Sequence, residues 1–171
     1  DILPFGIVPK CEPFEKRTDT EAADTPLSYA LFLSDEKEKA ESFFKSLRAD
    51  KKTAREALKT LKTPLPEDET AMRFCLSENE PGEIRRVISY HFLTERILSR
   101  GQYLALLSSA GEKCCKIKDL RVTGRDMINA GLSGEKVGEA LSFLLREVIL
   151  GRVENEKTSL TAHLKGKFTH I

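Results

Sequence analysis

The sequence is poor in the features that mark membrane and secreted proteins. It has no tryptophan and only three tyrosines, and it nowhere holds the roughly 18 uninterrupted apolar residues that a membrane-spanning helix needs. Its first ten residues contain two prolines and no basic start, so no signal peptide is indicated. Because the chain does not begin with methionine, we expect it to be cut from a longer protein.

An excess of charge of one sign is missing as well. The 28 lysines and arginines balance 27 acidic residues, which gives a net charge of +1. A dedicated nucleic-acid-binding domain is often far more basic, so any cationic surface for RNA would have to be local. The four cysteines, Cys11, Cys75, Cys114 and Cys115, do not form a secreted disulfide framework. We predict reduced thiols in a cytoplasmic protein.

Motifs for nucleotide, metal and covalent chemistry are also missing. The Gly166-Lys167 pair is followed by Phe168 and has Thr161 where a phosphate-binding loop needs its first glycine. The three histidines lack the spacing of metal ligands, and no Gly-x-Ser-x-Gly element is found. We therefore predict no catalytic residue and no metal site, and interpret His91, on the apolar face of its helix, as a core residue.

What the sequence does contain is helical periodicity. Apolar residues recur at the i, i+3, i+4 and i+7 positions, for example at Ala40, Phe43, Phe44 and Leu47. The sequence has no β-hairpin signals and no sustained alternation of apolar and polar residues, so the predicted fold class is all-α. We predict an irregular linker from a missing upstream part over residues 1–25, and a bundle of short helices over residues 26–110. A small helical tail with a glycine-flanked helix-hairpin-helix is predicted over residues 111–171.

Capping residues and prolines indicate where several helices begin. Pro26 suits a first-turn position, Ser34 before two acidic residues indicates an N-cap, and Asp50 indicates another. Asn155 is predicted to cap the last helix, which runs through Leu160 and Leu164.

The most informative stretch runs from Val122 to Leu164. A short helix over Arg125–Ala130 is closed by Gly131, and a long helix starts after Ser133-Gly134. The exposed amides and the positive dipole end of that long helix make a natural phosphate site. The predicted RNA-binding residues are Arg121, Arg125, Gly131, Ser133, Gly134 and Lys136.

The same glycines also allow a purely structural interpretation. Any sharp corner between two helices requires glycines such as Gly131 and Gly134, and Gly138 could serve only to permit close helix packing. If the corner does bind phosphate, it recognises backbone and shape rather than base identity. The pattern alone leaves both interpretations open.

These residues together resemble a known family. The run from Ile117 to Met127, followed by Gly131, Gly134, Val137-Gly138, a leucine-rich helix, Gly151 and Asn155-Glu156, resembles the tail of bacterial class II CCA-adding enzymes and related poly(A) polymerases. Residues 47–52 and 73–86 are similar, more loosely, to short helices of that family's body region. Met127 stands where the family usually has leucine, a substitution of similar volume.

The resemblance implies a C-terminal body-and-tail fragment that holds the acceptor and T-arm side of tRNA and has no activity by itself. The family's catalytic head, with magnesium and CTP or ATP, and the neck that selects the nucleotide would lie upstream of Asp1. No catalytic residue or cofactor is therefore carried over to this chain. The implied partners are tRNA and the missing head.

A function of another class fits the same helices. A helical protein-interaction or oligomerisation module, in the form of a homo-oligomer for instance, would show an exposed apolar patch and salt-insensitive self-association. An independent small enzyme would need a convergent titratable cluster, which the sequence does not indicate. The choice between CCA addition, A addition and poly(A) tailing depends on residues outside this chain.

Overall fold

Nine α-helices and two short 3-10 turns make up the regular structure of residues 24–97 and 99–168, the part of the chain that the computed structural model describes. These residues contain no strand, so the predicted all-α fold class is confirmed. In the same described ranges, no helix is both long and apolar enough to cross a membrane. The predicted linker lies, except for its last two residues, outside the described residues, as do Cys11 and His170.

The helices fall into two compact units, which we describe separately. In chain order they are α1 (Thr25–Phe32), α2 (Ala40–Leu47), α3 (Lys51–Lys62), α4 (Glu69–Glu78), α5 (Pro81–Leu93), α6 (Arg100–Gly111), α7 (Gly124–Asn129), α8 (Glu135–Ile149) and α9 (Lys157–Phe168). Unit 1 comprises the described residues up to Leu65 together with Pro81–Leu104, and unit 2 comprises Pro66–Glu80 and the described residues from Ala105 onward.

Unit 1 has an aromatic interior. Helices α1, α3 and α5 pack on one another, and Tyr29 of α1 meets Phe44 of α2 edge-on, with ring centroids 5.3 Å apart at 76°. Edge-to-face contacts of this kind add to the free energy gained by burial. Arg86 ties the surface of the unit together, because its guanidinium pairs with the carboxylates of Asp24 at 2.7 Å and Glu56 at 3.1 Å.

Unit 2 is organised around its longest helix, α8, which packs against α4, α7 and α9. Its hydrophobic cluster is aliphatic, because the buried members are leucine, valine, isoleucine, alanine and methionine residues, with Leu144, Met127 and Leu160 fully enclosed. Ala140, Leu144 and Val148 of α8 are buried and lie four residues apart, so they share one face of the helix.

The predicted helix starts are partly correct. Asp50 accepts a hydrogen bond from the Thr53 amide at 2.9 Å and so caps α3, as predicted. The Ser34 prediction is wrong: residues 33–35 form a turn, Lys37–Lys39 a 3-10 turn, and α2 begins at Ala40. Asn155 does not cap α9 with its side chain, whose amide is bonded to the chain near Arg121 instead.

The compact units group the chain differently from the predicted segments, because residues 66–80 join unit 2 and the change of unit falls within α6. A compact unit need not be an independently folding domain. The boundary at residue 110 therefore stays a prediction.

Two predictions about single side chains can be checked within their units. His91 is 8% exposed in unit 1, with Nε2 3.4 Å from the Thr63 carbonyl oxygen, and burial lowers its pKa. This is the packing role that was predicted. In unit 2, Cys114 and Cys115 are free thiols, and burial raises the pKa of Cys114 to about 11. The thiol is therefore protonated at neutral pH and a poor nucleophile.

Candidate nucleic-acid interface

Five of the six predicted RNA-binding residues lie around the connection between α7 and α8, in a segment from Gly124 to Gly138 that we call the corner, and Arg121 lies three residues before it. All six predicted residues are exposed: Arg121, Arg125, Gly131, Ser133, Gly134 and Lys136. Buried neighbours, Met127 and Leu132, anchor the corner in the aliphatic core. Polar residues therefore face solvent on a connection whose backbone is fixed from inside.

Two glycines make the turn of the corner possible. Gly131 has a φ of 94° and Gly134 a φ of 60°, in the region that favours glycine. Gly134 also has a ψ of −134°, which a residue with a Cβ rarely adopts. The structural interpretation of these two glycines is therefore correct, and it does not conflict with a role in binding.

The first residue of α7 packs against the first turn of α8. A Cβ placed on Gly124 would lie 3.5 Å from Cγ1 of Val137, an ordinary van der Waals contact. Arg125 follows Gly124 in the sequence and Lys136 precedes Val137. The two cationic residues therefore belong to helix ends that touch.

The beginning of α8 differs from the beginnings of three other helices. α1, α3 and α4 each start with an aspartate, Asp24, Asp50 or Asp68, whose carboxylate accepts an amide hydrogen bond from the first turn. α8 starts with Gly134, which has no side chain to accept one. The first-turn amides of α8 therefore lack an N-cap side chain, the condition under which an outside anion can take that role.

Gly138 has no packing role in the structure. A Cβ there would meet nothing within 4 Å, and the residue is exposed on α8. The interpretation that Gly138 permits close helix packing is therefore wrong. Gly134 and Gly138 are four residues apart, so they lie on the same face of the N-terminal end of α8. Neither position carries a side chain.

The entry to the corner is held by side chains that the sequence analysis did not identify. The Asn155 amide nitrogen donates to the Asp119 carbonyl at 2.9 Å, and its oxygen accepts from the Arg121 amide at 2.9 Å. Asp126 accepts bonds from the amide and the hydroxyl of Thr123, both at 2.8 Å. The spacing of Thr123 and Asp126 is that of a capping box, so the sequence could have indicated the contact between these two residues.

Lys157 completes this arrangement, with Nζ 2.6 Å from the Asp126 carboxylate. Lys157 and the hydrogen bonds from Thr123 lower the pKa of Asp126 to about 2. The carboxylate is therefore ionised and engaged at neutral pH. Glu135 and Glu139 remain as exposed carboxylates on α8, so the surface of the corner is mixed, with exposed Arg121, Arg125 and Lys136 in slight excess.

Arg73 fixes the other end of α8. Its Nη1 donates to the Ile149 carbonyl at 3.1 Å, and its Nη2 donates to the carbonyls of Cys114 at 2.9 Å and Val148 at 3.4 Å. A cation at the carboxyl end of a helix interacts favourably with the negative end of the helix dipole. The ends of α8 are thus unlike, with a guanidinium at the C-terminus and no cap side chain at the N-terminus.

Metal-ion chemistry finds no support in the described ranges 24–97 and 99–168, which hold no group of three or more histidine, cysteine, aspartate or glutamate side chains able to bind a metal ion.

Comparison with known proteins identifies the family. Searches of curated proteins and of solved structures find no match. A family model described as "tRNA nucleotidyltransferase domain 2 putative" matches residues 16–164, which is most of the chain. The chain therefore belongs to this tRNA nucleotidyltransferase domain family.

Proposed function

We propose that this chain is the tRNA-holding part of a tRNA nucleotidyltransferase and that its corner binds the RNA backbone. The observation that carries the proposal is the start of α8, where Gly134 supplies no cap side chain. Exposed Arg125 and Lys136 belong to the two touching helix ends. Amide donors with nearby cations are the groups that bind phosphate.

The bare face at Gly134 and Gly138 supports the same proposal. Glycine inside a helix lowers its stability by about 1 kcal/mol relative to alanine, and the space around Gly138 would accept a methyl group. Close approach of a ligand backbone offers a physical reason for a glycine there.

The charge balance sets the strength and character of the proposed contact. Glu135 and Glu139 lie exposed on the same helix as Lys136 and would repel phosphate. We therefore expect moderate affinity that falls steeply with salt, because counterions are released when lysines and arginines meet phosphates.

The finer identity is part of the proposal. We propose a body-and-tail role like that of bacterial class II CCA-adding enzymes and poly(A) polymerases, with the acceptor and T-arm side of tRNA as ligand. Magnesium, CTP or ATP and the transfer reaction are assigned to a catalytic head outside this chain, and the cytoplasm is the expected location. A protein-interaction or homo-oligomeric role remains the alternative; the large apolar side chains exposed in the described residues are Leu47, Ile117 and Ile128.

The test is a tRNA-binding titration at low and moderate salt with single charge reversals. Lys136→Glu and Arg125→Glu should each weaken tRNA binding about tenfold at low salt and lower the salt slope by about one. Circular dichroism should stay unchanged, because exposed charge changes cost at most about 0.5 kcal/mol of stability. Gly138→Ala should stabilise α8 and yet weaken binding.

The matched control is Lys52→Glu. Lys52 is the second residue of α3, as Lys136 is of α8, but α3 carries the Asp50 cap. Equal weakening by both reversals would mean that only net charge matters and that the corner is not the site. Failure of tRNA to bind at low salt, together with salt-insensitive self-association, would favour the interaction module.

A further inference from the structure

A second feature of unit 2 lies away from the corner, where Phe143 of α8 meets His163 of α9. Their rings are nearly parallel, with an interplanar angle of 10° and centroids 5.6 Å apart. The aromatic pairs of unit 1 meet at 40–77° instead. Both rings are partly exposed, and the His163 side chain is 33% exposed. Parallel stacking is the arrangement that nucleobases adopt with aromatic side chains.

A buried carboxylate holds the histidine in place. Glu147 is 7% exposed, with Oε2 3.1 Å from His163 Nε2 and Oε1 3.1 Å from Arg152 Nη1. Burying a carboxylate is unfavourable unless it is well bonded, and an apolar residue of similar size often serves a core as well or better. Glu147 therefore orients the ring of His163, although an apolar residue at this position would serve the stability of the core as well or better. Such an arrangement is expected when the orientation of the ring matters for binding.

An open hollow of about 640 Å³ adjoins both rings, a volume in the range of ligand sites. α9 contributes Ser159, Ala162, His163 and Gly166, which repeat at the spacing of one helix face. The other three of these residues are small, and Val153 also lines the space. We call this space the stacking hollow.

Charged residues flank the stacking hollow in the sequence. None of its six described lining residues is acidic. The Arg152 side chain, next to Val153, pairs with Glu147 and is 63% exposed. Lys165 is exposed beside Gly166, and Glu154 is exposed on the other side of Val153. A flat aromatic surface for a base and cationic side chains for the attached phosphates is the combination that binds single-stranded RNA.

We propose that the stacking hollow is a subsite for an unpaired nucleobase of an RNA strand, stacked on the Phe143–His163 pair. The subsite is separate from the corner, because Phe143 lies eight residues, or about 12 Å, along α8 from Glu135. It reads the face of a base, whereas the corner contacts backbone. The proposal rests on the proposed function only in taking RNA as the source of the base.

The experiment measures binding of two unstructured six-residue strands, hexa-adenylate and an abasic ribose-phosphate strand of equal charge. The wild-type chain should bind hexa-adenylate about tenfold more tightly, a factor expected for one stacked base, and the His163 ring protons should shift upfield in NMR spectra. His163→Gln keeps a donor for Glu147 but removes the ring, and Phe143→Leu keeps apolar volume. Both should abolish the preference for the strand that carries bases.

Two results would overturn the proposal: equal binding of the two strands, or an unchanged preference in both variants. Adenosine monophosphate is a third probe, which distinguishes a free nucleotide from an RNA strand as the source of the base. If the free nucleotide bound as tightly as the strand, RNA would be refuted as the ligand. Lys136→Glu should leave the preference for bases intact. The proposal for the stacking hollow can therefore be refuted while the proposal for the corner is supported, and the reverse outcome can be recognised equally well.

Discussion

The two units of this chain bury polar groups in different ways. In unit 1 the Tyr90 hydroxyl is enclosed by the core and has no hydrogen-bond partner among the residues that the structure describes. In unit 2 the buried Glu147 is bonded to His163 and Arg152, and the partly buried Arg73 is bonded to the last turn of α8 through Nη1 and Nη2, although its Nε has no partner among the described residues. Glu147 and Arg73 thus join elements of unit 2, whereas the Tyr90 hydroxyl joins nothing in unit 1 and lowers stability.

This difference indicates where function lies. The bonded groups of unit 2 all act on α8 or its neighbours, and α8 carries both the corner and the stacking hollow. Rigid elements position binding groups more precisely than loops do. We therefore attribute Glu147 and Arg73 to the positioning of the two proposed binding surfaces, and the comparison predicts that removing Arg73 and removing the Tyr90 hydroxyl have opposite effects on stability.

The largest effect is expected at Arg73. Arg73→Met removes the donors to the carbonyls of Ile149, Val148 and Cys114 and the cation at the end of the α8 dipole. Hydrogen bonds from charged groups contribute about 1.5–3 kcal/mol, but desolvation of the guanidinium offsets part of this gain. We expect the free energy of unfolding of unit 2 to fall by about 2 kcal/mol, measured by native-state hydrogen exchange of α8 amides.

Arg146→Met is the matched control for this prediction, because Arg146 is exposed on α8. Its effect should remain within about 0.5 kcal/mol. If Arg73→Met and the control prove alike, the guanidinium does not anchor α8, and the contrast between the units loses its main support.

An intermediate effect, visible only in acid, is expected at Asp126. Its folded pKa of about 2 lies below the ordinary value of 3.8 because Lys157 and Thr123 stabilise the carboxylate. Its contribution to stability is therefore complete above about pH 4 and is lost as the pH falls to about 2. Asp126→Asn should remove this part of the acid dependence, measured by urea unfolding at several pH values.

An NMR titration of the Asp126 carboxyl group provides the independent check. A midpoint near 3.8 in the folded protein would contradict the proposed pairing with Lys157. A low midpoint together with an unchanged acid dependence in Asp126→Asn would show that other carboxylates dominate.

Features set by local sequence were predictable. Asp50 caps α3 through an amide three residues away, and the positive φ values of Gly131 and Gly134 follow from a tight turn between two apolar stripes. Ser34 misled because a 3-10 turn precedes α2, and the choice between successive turns depends on packing. All six candidate residues are exposed around one corner, but their exposure does not establish that they bind RNA.

Features set by distant partners were not predictable. Asn155 meets Arg121 across 34 residues, and Arg73 meets Ile149 across 76. No spacing rule links residues so far apart. Asn155 therefore looks like a helix cap in the sequence, and nothing in the sequence indicates that Arg73 contacts Ile149. Glu147 was missed for a related reason, since a glutamate within a helix is normally assigned to its solvent face.

The smallest effect, and the one of opposite sign, is expected at Tyr90. An unpaired buried hydroxyl lowers stability because it has lost water without gaining a partner. Tyr90→Phe should therefore raise the free energy of unfolding of unit 1, by up to about 1 kcal/mol. The cations of Lys37 and Arg96, 5.6 and 5.8 Å from the ring centroid, can interact with phenylalanine as well, so the ring keeps its other contacts.

Intrinsic fluorescence is well suited to this last measurement. The chain has no tryptophan, and its three tyrosines, Tyr29, Tyr90 and Tyr103, all belong to unit 1, so the signal of the variant still reports on that unit. Tyr29→Phe, in the same core cluster but only partly buried, is the control and should change stability little. A loss of more than about 1 kcal/mol in Tyr90→Phe would mean that the hydroxyl has a bonded partner in solution. The Tyr90 hydroxyl would then join elements of unit 1 as Glu147 does in unit 2, and the contrast between the two units would be one of degree.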